Sequence, residues 1–128
     1  MRIKDLFNKR ELKVEIADSP SAHQRGLMFR KSLDVNDGML FKFSYPQNLR
    51  FWGLNTYIPL DIAFVSPDNI ISEIKSISPL SSKIITSDHE CNIAIEANYN
   101  YFLNNKINIG DKIEIKDNNC VVFTREIQ

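Results

Sequence analysis

The sequence predicts a mainly β fold of the α+β class: a compact antiparallel sheet closing towards a barrel, with one or two short helices. Short runs alternate apolar and polar residues, as in Leu12-Lys13-Val14-Glu15-Ile16-Ala17, which is the two-residue period of a strand with one buried face. Clusters of Pro, Asp and Asn punctuate these runs, as at Ser66-Pro67-Asp68-Asn69 and Asp117-Asn118-Asn119, and hold each element to a few residues. A helix-start signal stands at Ser19-Pro20, an N-cap followed by a proline in the first helical position.

In chain order, residues 12–17 read as a strand and residues 20–28 as a short helix. Gly26 inside that helix costs roughly 1 kcal/mol relative to Ala, so it marks either close approach of another backbone or an early helix end. After the polar turn Asp34-Val35-Asn36-Asp37-Gly38, residues 39–43 form a strand that Tyr45-Pro46-Gln47-Asn48 should break. Residues 50–54 follow as a strand, and Pro59 permits only an edge, a bulge or a loop. Residues 61–65 and 70–75 flank a Pro-Asp-Asn turn and read as a hairpin. Residues 76–90 should run over the surface, with a short extended piece at 84–86. Residues 92–97 are strand-like, 98–106 suit a short helix, and 112–115 pair with 121–123 as a closing hairpin. Such a set packs as a sheet curling towards a barrel, with a helix over one opening.

At 128 residues, 43% of them hydrophobic, the chain makes one domain over residues 1–128. Sixteen basic residues balance sixteen acidic ones, so no global field draws nucleic acid or an anionic membrane, and any anion site is local. No stretch approaches the roughly 20 apolar residues of a membrane span. Met1-Arg2-Ile3-Lys4-Asp5-Leu6-Phe7 lacks the apolar core of a signal peptide, so the chain as given reads as cytoplasmic; a chain trimmed of its leader would be periplasmic or exported. Cys91 and Cys120 are far apart, and neither they nor His23 and His89 show metal-ligand spacing. No metal and no cofactor is expected.

The strongest site signal is the run from Phe51 to Ile62, which mixes core and polar residues. Adjacent strand residues face opposite sides, so Phe51 and Trp52 need two apolar environments, a core and a covering loop or cavity wall. Asn55 and Thr56 serve a turn or point into a pocket. Asp61 shares a face with Ala63 and Val65, and as a buried carboxylate it pairs with a cation or serves as an acid or base. Arg25 and Arg30 flank Leu27-Met28-Phe29 and can present planar forks to an anion or to an acidic side chain. Glu96 is a natural ion-pair partner for one of the arginines. Ser87-Asp88-His89 carries triad residue types, yet three consecutive residues cannot adopt triad geometry.

Several runs together resemble the uncharacterised family catalogued as domain of unknown function 192. They are Glu15-Ile16-Ala17, Arg25-Gly26-Leu27-Met28-Phe29-Arg30, Gly38-Met39-Leu40-Phe41, and Phe51-Trp52 with Asn55-Thr56 and Ile58-Pro59-Leu60-Asp61-Ile62. Weaker matches follow at Ile93-Ala94-Ile95-Glu96 and Ile109-Gly110-Asp111. The resemblance spans about residues 14–115 and implies a β-rich single domain with no agreed activity, so no catalytic residue carries over. Where the family usually has Met-Lys between the Trp and the Asn, this chain has Gly53-Leu54, which removes a cation. Should that Lys serve an anionic ligand in relatives, this chain binds such a ligand more weakly or uses Arg25, Arg30 or Arg50 instead.

Two functions follow as expectations. One is a pocket for a small polar or anionic molecule, walled by Trp52 and Met28, with Arg25, Arg30, Asn55, Thr56, Asp61 and Glu96 as polar groups; its enzymatic version uses Asp61 or Glu96 as acid or base. The other is a module that docks a protein partner through the Phe51 to Tyr57 region.

Overall fold

The period-two runs become strands close to where their patterns place them. The computed structural model describes residues 3–4 and 10–127, and the rest of the opening segment read above for a leader lies outside the described residues. The order is β1 (Ile3–Lys4), β2 (Arg10–Ala17), α1 (Pro20–Arg25), β3 (Asp37–Gln47), β4 (Arg50–Phe51), β5 (Leu60–Val65) and β6 (Ile71–Ile77). It continues with β7 (Ile85–Thr86), β8 (Cys91–Asn98), α2 (Tyr101–Asn104), β9 (Lys112–Lys116), β10 (Cys120–Thr124) and β11 (Glu126–Ile127). Seven strands form one sheet in the order β6-β5-β8-β3-β2-β10-β9, while β4 pairs with β7 and β1 with β11. No helix among the described residues is long and apolar enough to cross a membrane.

The sheet curls until its edges meet. Ile70 bridges Lys112, and Ile71 N donates to Asp111 O at 2.9 Å while Gly110 N donates to Ile71 O at 2.8 Å. These bonds satisfy backbone groups that two open edges would leave unpaired. Asp111, 2% exposed, secures the junction with its side chain. It accepts from Asn108 N at 2.9 Å and from Arg125 Nε at 2.9 Å, and it lies 3.5 Å from the buried Arg10 guanidinium.

Four local departures from the sequence expectations have physical reasons. β2 and β3 pair in parallel, with Val14 opposite Gly38, because α1 carries the chain back over the sheet between them; alternation of period two is common to both pairing senses. β3 runs on to Gln47, and its ladder with β8 shifts register between Lys42 and Gln47, which leaves Pro46 where no strand N–H is needed. α1 stops at Arg25, three residues short, since Gly26 adopts φ +47°. β4 ends at Phe51 because residues 53–56 form a turn in which Thr56 N donates to Gly53 O.

Apolar side chains divide into two layers. Leu12, Val14, Leu40, Ile95, Phe102 and Phe123 belong to the cluster inside the curl, which also takes Tyr101 from α2. Met39, Phe41, Leu60, Ile62, Phe64 and Ala94 belong to a second cluster on the outer face, with Leu27, Leu49 and Ile58 from the covering segments. β5 is therefore buried along its whole length on both faces, and its hairpin with β6 is the one the turn chemistry predicts.

Gly38 sets the distance between β3 and β8. A Cβ there would stand 2.4 Å from Glu96 O and 2.8 Å from Leu12 Cδ2. Gly38→Ala should lower the unfolding free energy by about 1–3 kcal/mol in urea denaturation; an unchanged midpoint would show that the two strands can part freely. Asp111→Ala should cost about 3–5 kcal/mol, because it strands the buried Arg10 charge, and the same measurement reads it.

Candidate functional site

The outer layer is made of loops and one short helix, and it fits the sheet imperfectly. Between α1, the 26–29 turn, the 50–56 segment and β8 it leaves a hollow of about 140 Å³ whose lining includes Arg25, Met28, Trp52, Thr56 and Glu96. Five of the eight residues singled out in the sequence thus share one cavity wall. Phe41, Phe51 and Arg50 complete much of the remainder.

Local chemistry places each group. Ser19 Oγ accepts from Ala22 N at 3.2 Å and Pro20 opens α1, so the helix starts where its cap dictates. His23 Nε2 lies 3.0 Å from Ala17 O and 2.8 Å from Lys42 O; two carbonyls require a proton on that nitrogen, and the ring stacks on Phe43 at 4.0 Å between centroids. Gly26 then turns the chain away, with a Cβ there only 3.3 Å from the Phe41 ring. Arg25 and Met28 are left on either side of the turn, at the hollow.

The 53–56 turn is held from two sides. Phe29 N donates to Asn55 O at 2.8 Å, and Leu80 N donates to Thr56 O at 2.9 Å. Asn55 takes φ +56°, a left-handed conformation that Asn tolerates better than most residues. Gly53 is obligatory in this packing, since a Cβ would stand 2.0 Å from Ser78 O. Thr56 is buried and its hydroxyl donates to Leu54 O at 3.3 Å.

Glu96 is the exceptional group. It is 4% exposed, lies between Met39 and Ile62 across the ladders, and has no hydrogen-bond or ion-pair partner among the described residues. Burial alone pushes its carboxyl up to about 8, because desolvation disfavours the charged form and no nearby cation offsets it. At neutral pH most of it holds a proton. The ion pair with an arginine that the sequence suggests for it is not formed among the described residues.

The other three residues lie elsewhere. Arg30 forms a two-pronged ion pair with Glu15, which holds the Glu15 carboxyl below the usual range, and it lines a separate polar hollow with Lys13 and Asp34. Asn55 contributes through its backbone. Asp61 is buried on the inner side of β5, where its carboxylate accepts from Ser76 Oγ at 2.7 Å and from Asn100 N at 2.9 Å; it closes the start of α2 and does not reach the hollow. Ser87, 1% exposed, donates to His89 O and accepts from Leu49 N, a turn-bracing role. Cys91 and Cys120 are free thiols, and no group of three or more His, Cys, Asp or Glu among the described residues is placed to hold a metal ion. His23 and Phe41 also line the hollow, and the sequence gives no signal for them, because a lone His and a strand Phe read as ordinary packing.

Glu96 makes stability depend on pH in a stated direction. Its folded value, about 8, exceeds its ordinary value of 4.5, so between those limits the folded state binds the extra proton and stability falls as pH rises. The slope reaches about 1.4 kcal/mol per pH unit and flattens above pH 8. Glu96→Gln should match the parent closely near pH 5 and exceed it in unfolding free energy by pH 8; parallel pH profiles would remove Glu96 as a buried, protonated acid.

Comparison with known proteins gives a family and a fold. The model of the family DUF192, "Uncharacterized ACR", matches residues 3–115. A protein of Sinorhizobium meliloti 1021, provisionally described as a transcription regulator, superposes with a TM-score of 0.78 at 29% identity, over 89% of this chain and 93% of its own. A protein of unknown function from Novosphingobium aromaticivorans DSM 12444 also superposes with a TM-score of 0.78, at 32% identity over 80% of this chain and 74% of its own. No curated protein matches. A family match over most of the length, carried by a curled sheet of the same shape in two relatives, establishes that this chain belongs to the DUF192 family.

Proposed function

We propose that the hollow floored by Glu96 is a binding pocket for a small polar molecule. The observation that carries this reading is the Glu96 carboxyl, buried on the outer face of β8, without a partner among the described residues, and lining that space. Buried polar groups in folded proteins are nearly always paired, and leaving one unpaired costs roughly 1–3 kcal/mol; a ligand that hydrogen-bonds to it recovers that cost. Trp52, Met28 and Phe41 supply apolar walls, and Thr56 and Arg25 supply polar groups that converge on the same space, a composition typical of small-molecule sites.

The balance of sixteen basic and sixteen acidic residues supports a small molecule over nucleic acid, even though one relative is provisionally described as a transcription regulator. An enzymatic use of the pocket would rest on Glu96, which holds a proton near neutral pH and can return it; Asp61 is occupied elsewhere. A protein-docking reading draws on Phe29, Trp52, Tyr57 and Leu80, all more than two-fifths exposed.

The unfolding temperature measured against a panel of sugars, organic acids, amino acids, nucleotides and divalent metals tests the pocket. A ligand present at a hundred times its Kd adds about 2.7 kcal/mol of stability, which raises the midpoint by several degrees for a domain of this size. Trp52 is the only tryptophan, so its fluorescence should report the same binding from the pocket wall. The shift should vanish in Glu96→Gln or Arg25→Gln. Silence across the panel from a folded sample would overturn the pocket and favour a protein partner.

A further inference from the structure

An acid and two bases line this hollow at different exposures. Glu96 is buried and has no hydrogen-bond or ion-pair partner among the described residues. Arg25 and Arg50 are exposed at the mouth, and neither forms an ion pair among the described residues. Phe41, Phe51 and Trp52 line it as well. We propose that the pocket takes a small zwitterion of the amino-acid class, with its ammonium group on the Glu96 carboxylate and its carboxylate on Arg25 and Arg50. This rests on the pocket reading above and names the ligand's chemistry.

Charge and geometry separate the classes of ligand. A simple anion would satisfy the two guanidinium groups and accept from the protonated Glu96 carboxyl, but it would be repelled once that group ionises, so its affinity would fall with rising pH where that of a zwitterion rises. A simple cation would pair with Glu96 but would leave two like charges at the entrance. A neutral polyol would neutralise neither pole. An ammonium brings three donors, exactly the kind of group a lone carboxylate lacks, and aromatic faces along the wall attract a cation. Glu96 forms no ion pair with Arg25 or Arg50 among the described residues, though all three line the same hollow, so a ligand with both charges can serve both ends. A space of about 140 Å³ suits a molecule of a few heavy atoms.

Four small probes separate the terms: L-alanine, β-alanine, propionate and ethylamine. Titration calorimetry of the whole chain at pH 7, repeated in buffers of different ionisation enthalpy, counts protons exchanged on binding. The two zwitterions should bind with release of about 0.9 proton per site, since Glu96 must ionise to receive the ammonium. Their affinity should rise by up to about tenfold per pH unit between pH 6 and 8. Glu96→Gln should abolish the proton release. Arg25→Gln should weaken β-alanine at least tenfold and leave ethylamine unchanged.

Propionate binding as tightly as the zwitterions without proton release would overturn the zwitterion assignment in favour of an anion site. Ethylamine binding as tightly would overturn it in favour of a cation site. In either case the pocket itself survives. If all four are silent while another panel member shifts the melt through Glu96, the ligand class is wrong and the pocket stands. If the whole panel is silent as well, both fall together.

Discussion

The constraint on which the rest of the structure depends is that β5 and most of β8 are covered on both faces. In a curled sheet the inner face is closed by the curl itself, but the outer face needs a separate layer. Here that layer consists of α1 and the segments before β5 and between β6 and β8, and the covering segments bring Leu27, Leu49 and Ile58 onto Met39, Phe41, Ile62 and Phe64. A strand buried on both sides has no solvent face on which to place a charge. Asp61 and Glu96 nevertheless lie on adjacent cross-strand pairs, Asp61 opposite Ala97 and Ile62 opposite Glu96. They point to opposite faces. On the inner face, near the start of α2, a backbone N–H and a Ser hydroxyl are available to Asp61. On the outer face, under irregular loops, Glu96 meets a hollow.

That hollow follows from how the covering loops are held. The layer is fixed by backbone hydrogen bonds between three turns, at residues 26–29, 53–56 and 78–81, and these bonds put Phe29, Asn55 and Leu80 at positive φ. For Phe and Leu such a conformation costs on the order of 1–2 kcal/mol, and strain of this kind concentrates at functional sites because the surroundings have to enforce it. The close contact of Gly53 with Ser78 gives the Gly53-Leu54 departure a structural meaning. A side chain at position 53, as in the Met-Lys of the family pattern, requires the 78–81 turn to stand off. In this chain the turn sits tight, and the cation at the mouth comes from Arg50 and Arg25.

What the sequence reveals and conceals divides along the same line. Alternation in residues 12–17, the Pro-Asp-Asn turn before β6 and the Asn-rich turn before β10 are local signals, and each lands where its chemistry puts it. The same parity argument places Asp61 with Ala63 and Val65, inside. It cannot show that Ser76 and Asn100 converge on it, because the first comes from a neighbouring strand and the second from a helix start. Nor can it show that Arg30 reaches Glu15 rather than Glu96. That choice depends on the parallel pairing of β2 with β3 and on the early end of α1 at Gly26, which together carry Arg30 past the hollow. Arg25, Met28, Trp52 and Thr56 were legible because each sits beside a break in a regular element, and breaks are where this fold leaves space.

Within the pocket reading, affinity and selectivity reside at different depths. The arginines at the mouth are exposed, so water and salt screen their attraction, and their share of the affinity falls as salt rises. The floor is different. A desolvated carboxyl with no internal partner discriminates strongly, because a molecule that fails to hydrogen-bond to it leaves the cost of burial in place. Within this reading, substitutions at the rim change how tightly a ligand binds more than which ligand binds. A change at position 96, or at Gly38, whose missing side chain lets the Glu96 backbone approach, alters the buried end of the hollow, where selectivity resides.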